Sequence, residues 1–281
     1  SFPAAPPVDP PYSNNAESVR LSTYTEGTVS DPNTNASGIS QVWVAISSGL
    51  LQNIWWNDGA RAFNVSQSSI FWSTQVYLSG NTWSYKPAEW SGSGFQDGVF
   101  YTIFVHAKDH AGNTVNYAAN MVPLDSTPGQ TQTLRYDVTR PTASVSFPIN
   151  SLTTGTLTQL SGVATDPGAG FSGIKAVYVA VEHVAGADGL IGWYNWGNGQ
   201  FNVPTPGTDF SQAAWVQVST TSVTSVLSVD WSTPVPANLR MSSNTYRVIA
   251  AATDWASNKQ ASPEGAANGA AYRFDNGVPL V

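Results

Sequence analysis

The chain contains no cysteine, so neither disulfides nor thiolate metal sites are available to it, and its redox compartment is not written in its composition. Charge is scarce as well. Charged residues make up 10% of the sequence, against about 25% in an ordinary globular protein, so surface solubility falls to Ser, Thr, Asn and Gln. Basic residues are the scarcer kind, with 11 Lys and Arg against 18 Asp and Glu, a formal net charge of -7 and a pI near 4.7. No basic stripe exists to neutralise phosphates, which argues against a nucleic-acid partner and leaves cations as the natural counterpart. Apolar runs of about 18 residues are missing too, and nothing resembles a signal peptide, so the chain is expected neither to span a membrane nor to carry its own export address. Helix-period segments of ten or more residues are likewise lacking, and 24 Gly with 18 Pro oppose them.

What the chain does have is repetition. Asp31-Pro32 opens a loop that closes at Ser37-Gly38 and runs into the alternating segment Ile39 to Ile46, and the pattern returns 135 residues later as Asp166-Pro167, Ser172-Gly173 and Ile174 to Val181. A loop that feeds a run of β-branched and aromatic residues with period two delivers the chain into a strand. Two copies at one spacing mean two tandem units. The expected boundaries are a Pro- and Asn-rich lead-in over 1–17, a first domain over 18–137 and a second over 138–281, with a C-terminal linker from about 275. Each unit is long enough to bury a core without staples.

Other landmarks keep the same order. Val19, Leu21 and Thr23 alternate before Tyr24 breaks the pattern, predicting one strand with an irregularity. Trp55-Trp56-Asn57-Asp58-Gly59 reads as a hairpin and is matched by Trp193-Tyr194-Asn195-Trp196-Gly197. Strands are expected near Phe71 to Leu78 and Thr82 to Lys86, then near Ala214 to Val218 and Val223 to Trp231. The register locks again at Tyr101 to Asn113 and Tyr246 to Asn258, and at Arg135-Tyr136-Asp137 against Arg273-Phe274-Asp275. A further unit would be expected to start near Val281.

Taken together, the Asp-Pro...Ser-Gly-Ile loop, the Trp hairpin, the Tyr strand ending in Asp109-His110-Ala111-Gly112-Asn113, and the closing Asp137-Val138-Thr139-Arg140-Pro141 linker resemble the tandem bacterial Ig-like domains of large repetitive surface proteins and adhesins. The second copy departs at Ser257, where the pattern has Gly, and at Asp275 to Pro279, where it lacks Thr. The resemblance implies an all-β chain of two tandem Ig-like antiparallel β-sandwich domains, with aromatic and β-branched positions inside. It also implies an extracellular or bacterial cell-surface location, and neighbouring Ig-like units or copies of the same chain as end-to-end partners.

Three aspartates recur: the linker pair Asp9 and Asp137, the loop pair Asp31 and Asp166, and the strand-end pair Asp109 and Asp254. In an Ig-like sandwich these loops share the end at which the linker arrives, so Asp9, Asp31 and Asp109 would form one calcium site, and Asp137, Asp166 and Asp254 another. Short carboxylates and loop carbonyls are the usual source of the six to eight oxygens that Ca²⁺ takes. The plainer reading is that each Asp caps its own turn. Asp275 would serve a following unit. Trp55 and Trp56, and Trp193, Tyr194 and Trp196, lie on short hairpins and could leave a ring outward to hold a glycan, the alternative being core packing. The three histidines are isolated and no nucleophile elbow occurs, so no enzyme activity is expected. The expected role is a non-catalytic stalk, spacer or filament subunit, with a glycan-binding adhesin module as the alternative.

Overall fold

The computed structural model describes residues 17–19, 25–31, 34–49, 53–72, 74–85, 94–114, 131–186, 189, 191–220, 227–261 and 269–277. The chain divides into two units, Ser1–Asp137 and Val138–Val281. Both are built from strands, and no helix among the described residues is long and apolar enough to cross a membrane.

The first unit contains β1 (Glu17–Val19), β2 (Thr25–Thr28), β3 (Ile39–Ser48), β4 (Ile54–Asn57), β5 (Ala62–Ser66), β6 (Thr74–Gln75), β7 (Tyr77–Ser79), β8 (Thr82–Tyr85), β9 (Phe100–Asp109) and β10 (Thr131–Tyr136). One sheet runs β1-β10-β9-β3-β4-β5, with β6 also on β3, and a smaller one runs β2-β8-β7. The core is filled by Val42, Val44 and Ile46 of β3 with Trp56, Trp83, Tyr101 and Ile103. The sequence places one irregular strand over residues 19–29. In the structure β1 and β2 belong to different sheets, and Tyr24, where the alternation breaks, lies outside the described residues.

The second unit contains β11 (Thr142–Phe147), β12 (Leu152–Thr154), β13 (Gln159–Thr165), β14 (Ile174–Ala185), β15 (Gly192–Asn195), β16 (Gln200–Val203), β17 (Val216–Thr220), β18 (Ser228–Pro234), a short 3-10 turn at Ala237–Leu239, β19 (Asn244–Asp254) and β20 (Gly269–Phe274). Its strand β17 pairs with β14 through Val216 to Val218 and with β18 through Ser219 and Thr220, so one strand serves both sheets. Alternating residues of β14 and β19, among them Val177, Val179, Val181, Tyr246, Val248 and Ala250, fill the space against Leu160, Trp231 and Leu239.

Among the described residues an antiparallel sandwich accounts for nearly every pairing, with one exception in each unit. β1 runs parallel to β10, and β12 runs parallel to β20. In the second unit the chain pairs first with β13 as β11, then crosses at Pro148 to Ser151 and joins the last strand of the opposite sheet. At the β11 edge Gly162 has a packing reason to be glycine: an added Cβ would run into the Ser144 carbonyl and the Trp231 ring, whose Nε1 donates to that carbonyl at 3.2 Å. Gly162→Ala is expected to destabilise the second unit by about 1–3 kcal/mol, the usual cost of overpacking, as read by urea unfolding monitored through Trp fluorescence.

Candidate functional site

Each unit carries the same pair of interlocked loops. In the second, Asp166 follows β13, and its Oδ2 accepts from the Gly173 amide at 2.7 Å. Gly173 holds φ at 90°, a left-handed conformation suited to glycine. The neighbouring Ser172 Oγ accepts from the Ala256 amide at 2.9 Å, and the Trp255 amide donates to the Gly173 carbonyl at 3.0 Å. Asp254 ends β19 and accepts from the Asn258 amide at 2.7 Å and from its side-chain nitrogen at 2.9 Å.

The first unit repeats this bond for bond. Asp31 Oδ2 accepts from Gly38 at 3.2 Å, Ser37 Oγ from Ala111 at 3.0 Å, and Asp109 from the Asn113 amide and side chain, both at 2.7 Å. The His110 amide donates to the Gly38 carbonyl at 2.9 Å. The departure at Ser257 is absorbed in the backbone, where Ser257 takes φ 69° at the turn in which Gly112 takes φ 91°.

The two loop pairs differ in burial. Asp166 and Asp254 are 0% exposed, as is Asp137, the residue that follows β10, and one carboxylate oxygen from each of these three lies within 4.8 Å of the others. In the first unit Asp31 and Asp109 are both half-buried, and Asp9 lies outside the described residues. The Asn113 side-chain amide, aided by backbone amides, holds the Asp109 carboxyl below the ordinary carboxylate range. A depressed value means a stabilising bond that is complete above the unfolded value of about 3.9 and is lost as pH falls through the lower folded value. Acidification below about pH 4 is therefore expected to release the Asn113 side-chain amide, seen as loss of its shifted NMR resonance; a resonance unmoved down to pH 2 would contradict the assignment.

The aromatic platform drawn from the sequence is corrected by the structure. Trp55 and Trp56 are 0% exposed, Trp193 2% and Tyr194 5%, and Trp196 is half-buried, its Nε1 donating to the Ala214 carbonyl at 3.1 Å. Trp56 faces the core, with ring centroids 5.2 Å from Phe63 and 6.0 Å from Phe95. Trp55 faces the other way, yet Ile70, Phe71 and Trp72 pack over it. Phe210 and Trp215 cover Trp193 in the second unit in the same manner. An outward ring was expected because a short hairpin has two faces; the segment that follows each hairpin folds back and seals the second one. The extra aromatics at 71–72 and at 210 and 215 were the available signal.

The histidines remain apart. His106 lies between the Trp43 and Trp72 rings at 5.3 and 5.1 Å, His183 packs against Phe201 and Tyr246, and His110 is exposed on its loop.

Strand order, paired loops and core define the chain as two tandem Ig-like β-sandwich units. No protein-family model and no curated protein matches it. Among solved structures it is similar to the fibronectin(III)-like modules of Clostridium thermocellum CbhA, at 10% identity and TM-score 0.37 over 95% of this chain and 92% of that one. It is also similar to a tetra-tandem repeat in the extending region of a large adhesion protein, at 18% identity and TM-score 0.28 over 92% of this chain and 46% of that one. A third is a structure of a 1.5-MDa bacterial ice-binding adhesin, at 14% identity and TM-score 0.28 over 89% of this chain and 54% of that one. The chain thus spans about half the length of each adhesin structure.

Proposed function

We propose that the chain is a non-catalytic structural module of an extracellular repetitive surface protein, acting as stalk, spacer or assembly subunit, and that a calcium ion held by Asp137, Asp166 and Asp254 stiffens the lead-in of its second unit. The observation that carries the calcium reading is the burial of three carboxylates whose oxygens lie within 4.8 Å of one another. Like charges taken out of water together are costly unless protons or a cation offset them. The donors are all oxygen, which suits a hard cation. Asp166 Oδ2 and both Asp254 oxygens already accept loop amides, but each carboxylate oxygen has a second lone pair to offer. A cation there restrains Asp137 against both loops at once, which limits the freedom of the chain that enters the second unit. Scanning calorimetry of the full chain in millimolar calcium and in chelator tests this. A higher melting temperature for one transition is expected, and superimposable traces would end the calcium reading.

A further inference from the structure

Asparagine is a thermolabile residue, and a glycine after it offers a nitrogen with no neighbouring Cβ to hinder attack on the side-chain amide. The chain has three such pairs, Asn198-Gly199, Asn268-Gly269 and Asn276-Gly277. The fold holds them differently. Gly199 lies in the turn between β15 and β16, where its amide donates to the Asn195 carbonyl at 2.8 Å, while the Asn198 Oδ1 accepts from the Gln200 amide at 3.0 Å. Nitrogen and side chain are each tied to a different partner. Gly269 opens β20 opposite Ile249, which fixes its nitrogen in a strand, and Asn268 lies outside the described residues.

At the third pair both residues are exposed, as is Asp275 before them. The Asp275 amide donates to the Thr154 carbonyl at 2.9 Å, and the Asn276 amide donates to Ser242 Oγ at 3.3 Å, so the main chain is anchored on the near side of the pair. The Gly277 amide donates to Asp275 Oδ1 at 3.0 Å. A carboxylate oxygen at that distance is within reach of a general base, and it sits on the N–H whose proton must leave when the nitrogen attacks. At Gly199 the same N–H meets a main-chain carbonyl, which is no base. An added Cβ at Gly277 would come within 3.3 Å of the Asp275 Oδ1, so glycine clears the path for attack and for the base alike.

We infer that Asn276 is a site of self-modification, with Gly277 as nucleophile and Asp275 as base. The Gly277 nitrogen forms a bond to Asn276 Cγ and gives its proton to the Asp275 carboxylate. The bond from Cγ to Nδ2 breaks, and Nδ2 takes that proton and leaves as ammonia, which closes a five-membered cyclic imide. Water then opens the imide. Cleavage between the nitrogen and Cγ gives aspartate at position 276; cleavage between the nitrogen and the main-chain carbonyl carbon gives isoaspartate, whose chain runs through Cβ and Cγ. Nothing is oxidised or reduced, and water is the only co-reactant. Either product sets a second carboxylate beside Asp275 and adds one negative charge to a formal net charge of -7. Isoaspartate also lengthens the main chain where it leaves β20, which carries the Gly277 amide away from Asp275. The exit of the second unit is thus a slow and irreversible covalent timer.

Ageing the full chain in neutral buffer, followed by proteolysis and mass spectrometry of its peptides, tests this. The peptide with Asn276 is expected to gain the mass of OH in place of NH₂ and to split into two chromatographic forms, one of them a substrate for an isoaspartyl methyltransferase. Its rate is expected to exceed that at Asn198 by about a hundredfold, the scale on which placement of reacting atoms acts. An Asn276 peptide that stays unmodified, or modification of Asn198 or Asn268 at an equal or greater rate, would overturn the inference. That comparison uses the unaltered chain and needs no variant to fold. Gly277→Ala is expected to suppress the reaction. Asp275→Asn keeps an oxygen that can accept the Gly277 amide but removes the base, and is expected to slow the reaction by at least about tenfold; an unchanged rate would overturn the role given to Asp275.

Discussion

Truncating Trp56 to alanine is expected to cost the first unit about 3–5 kcal/mol, the range for removing a large aromatic from a packed core. The ring is 0% exposed, sits against Phe63 and Phe95, and donates its Nε1 to Asp58 Oδ1 at 2.9 Å. Asp58 also accepts from the Tyr85 hydroxyl at 2.7 Å, so the hairpin turn and β8 are tied through one carboxylate that the truncation leaves with a single donor. Trp56→Phe keeps much of the apolar area and loses the indole donor, and is expected to recover more than half of that cost. The measurement is chemical denaturation followed by circular dichroism. A change below about 1 kcal/mol for Trp56→Ala would mean the ring is not the core element its burial implies.

The second large effect is a change of sign. At free calcium a hundredfold above its dissociation constant, binding to the folded state alone contributes about 2.7 kcal/mol, which for a unit of this size raises the melting temperature by about 10 °C. Asp137→Asn is expected to abolish most of that rise. In chelator the same variant is expected to melt at or above the parent, because one of three buried like charges has been removed. A cap on a turn would instead destabilise in both conditions when replaced. Asp109→Asn, at the half-buried end of β9 in the first unit, serves as the control and leaves the calcium response unchanged.

The division into units and the pairing of loops were legible because they depend on local rules repeated twice. Asp-Pro opens the loop, a left-handed Gly38 or Gly173 closes it, and alternation marks β3 and β14. Asp31 with Asp109, and Asp166 with Asp254, could be set on neighbouring loops from that recurrence. The parallel strands β1 and β12 were not legible, since three residues carry no direction of pairing. Neither was the covering of the Trp hairpins: period two says that a strand has two faces but not that Ile70 to Trp72, or Phe210 and Trp215, return to seal the outer one. The expected strand at Phe71 to Leu78 is divided between β6 and β7, because its first residues are part of that seal. Asp9, drawn into the calcium set of the first unit, lies outside the described residues.

The parallel pairing of β12 with β20 sets how the second unit answers a pull. Tension drawn through the two ends of the second unit reaches β12 once β11 has come away from β13, and then tugs β12 and the closing strand β20 in opposite directions along their length. Because Leu152, Thr153 and Thr154 lie beside Tyr272, Arg273 and Phe274 in parallel, that force shears the ladder and loads its hydrogen bonds together instead of peeling them one at a time. Rupture then requires several bonds to fail in concert, so resistance to stretching is written into the direction of a three-residue strand.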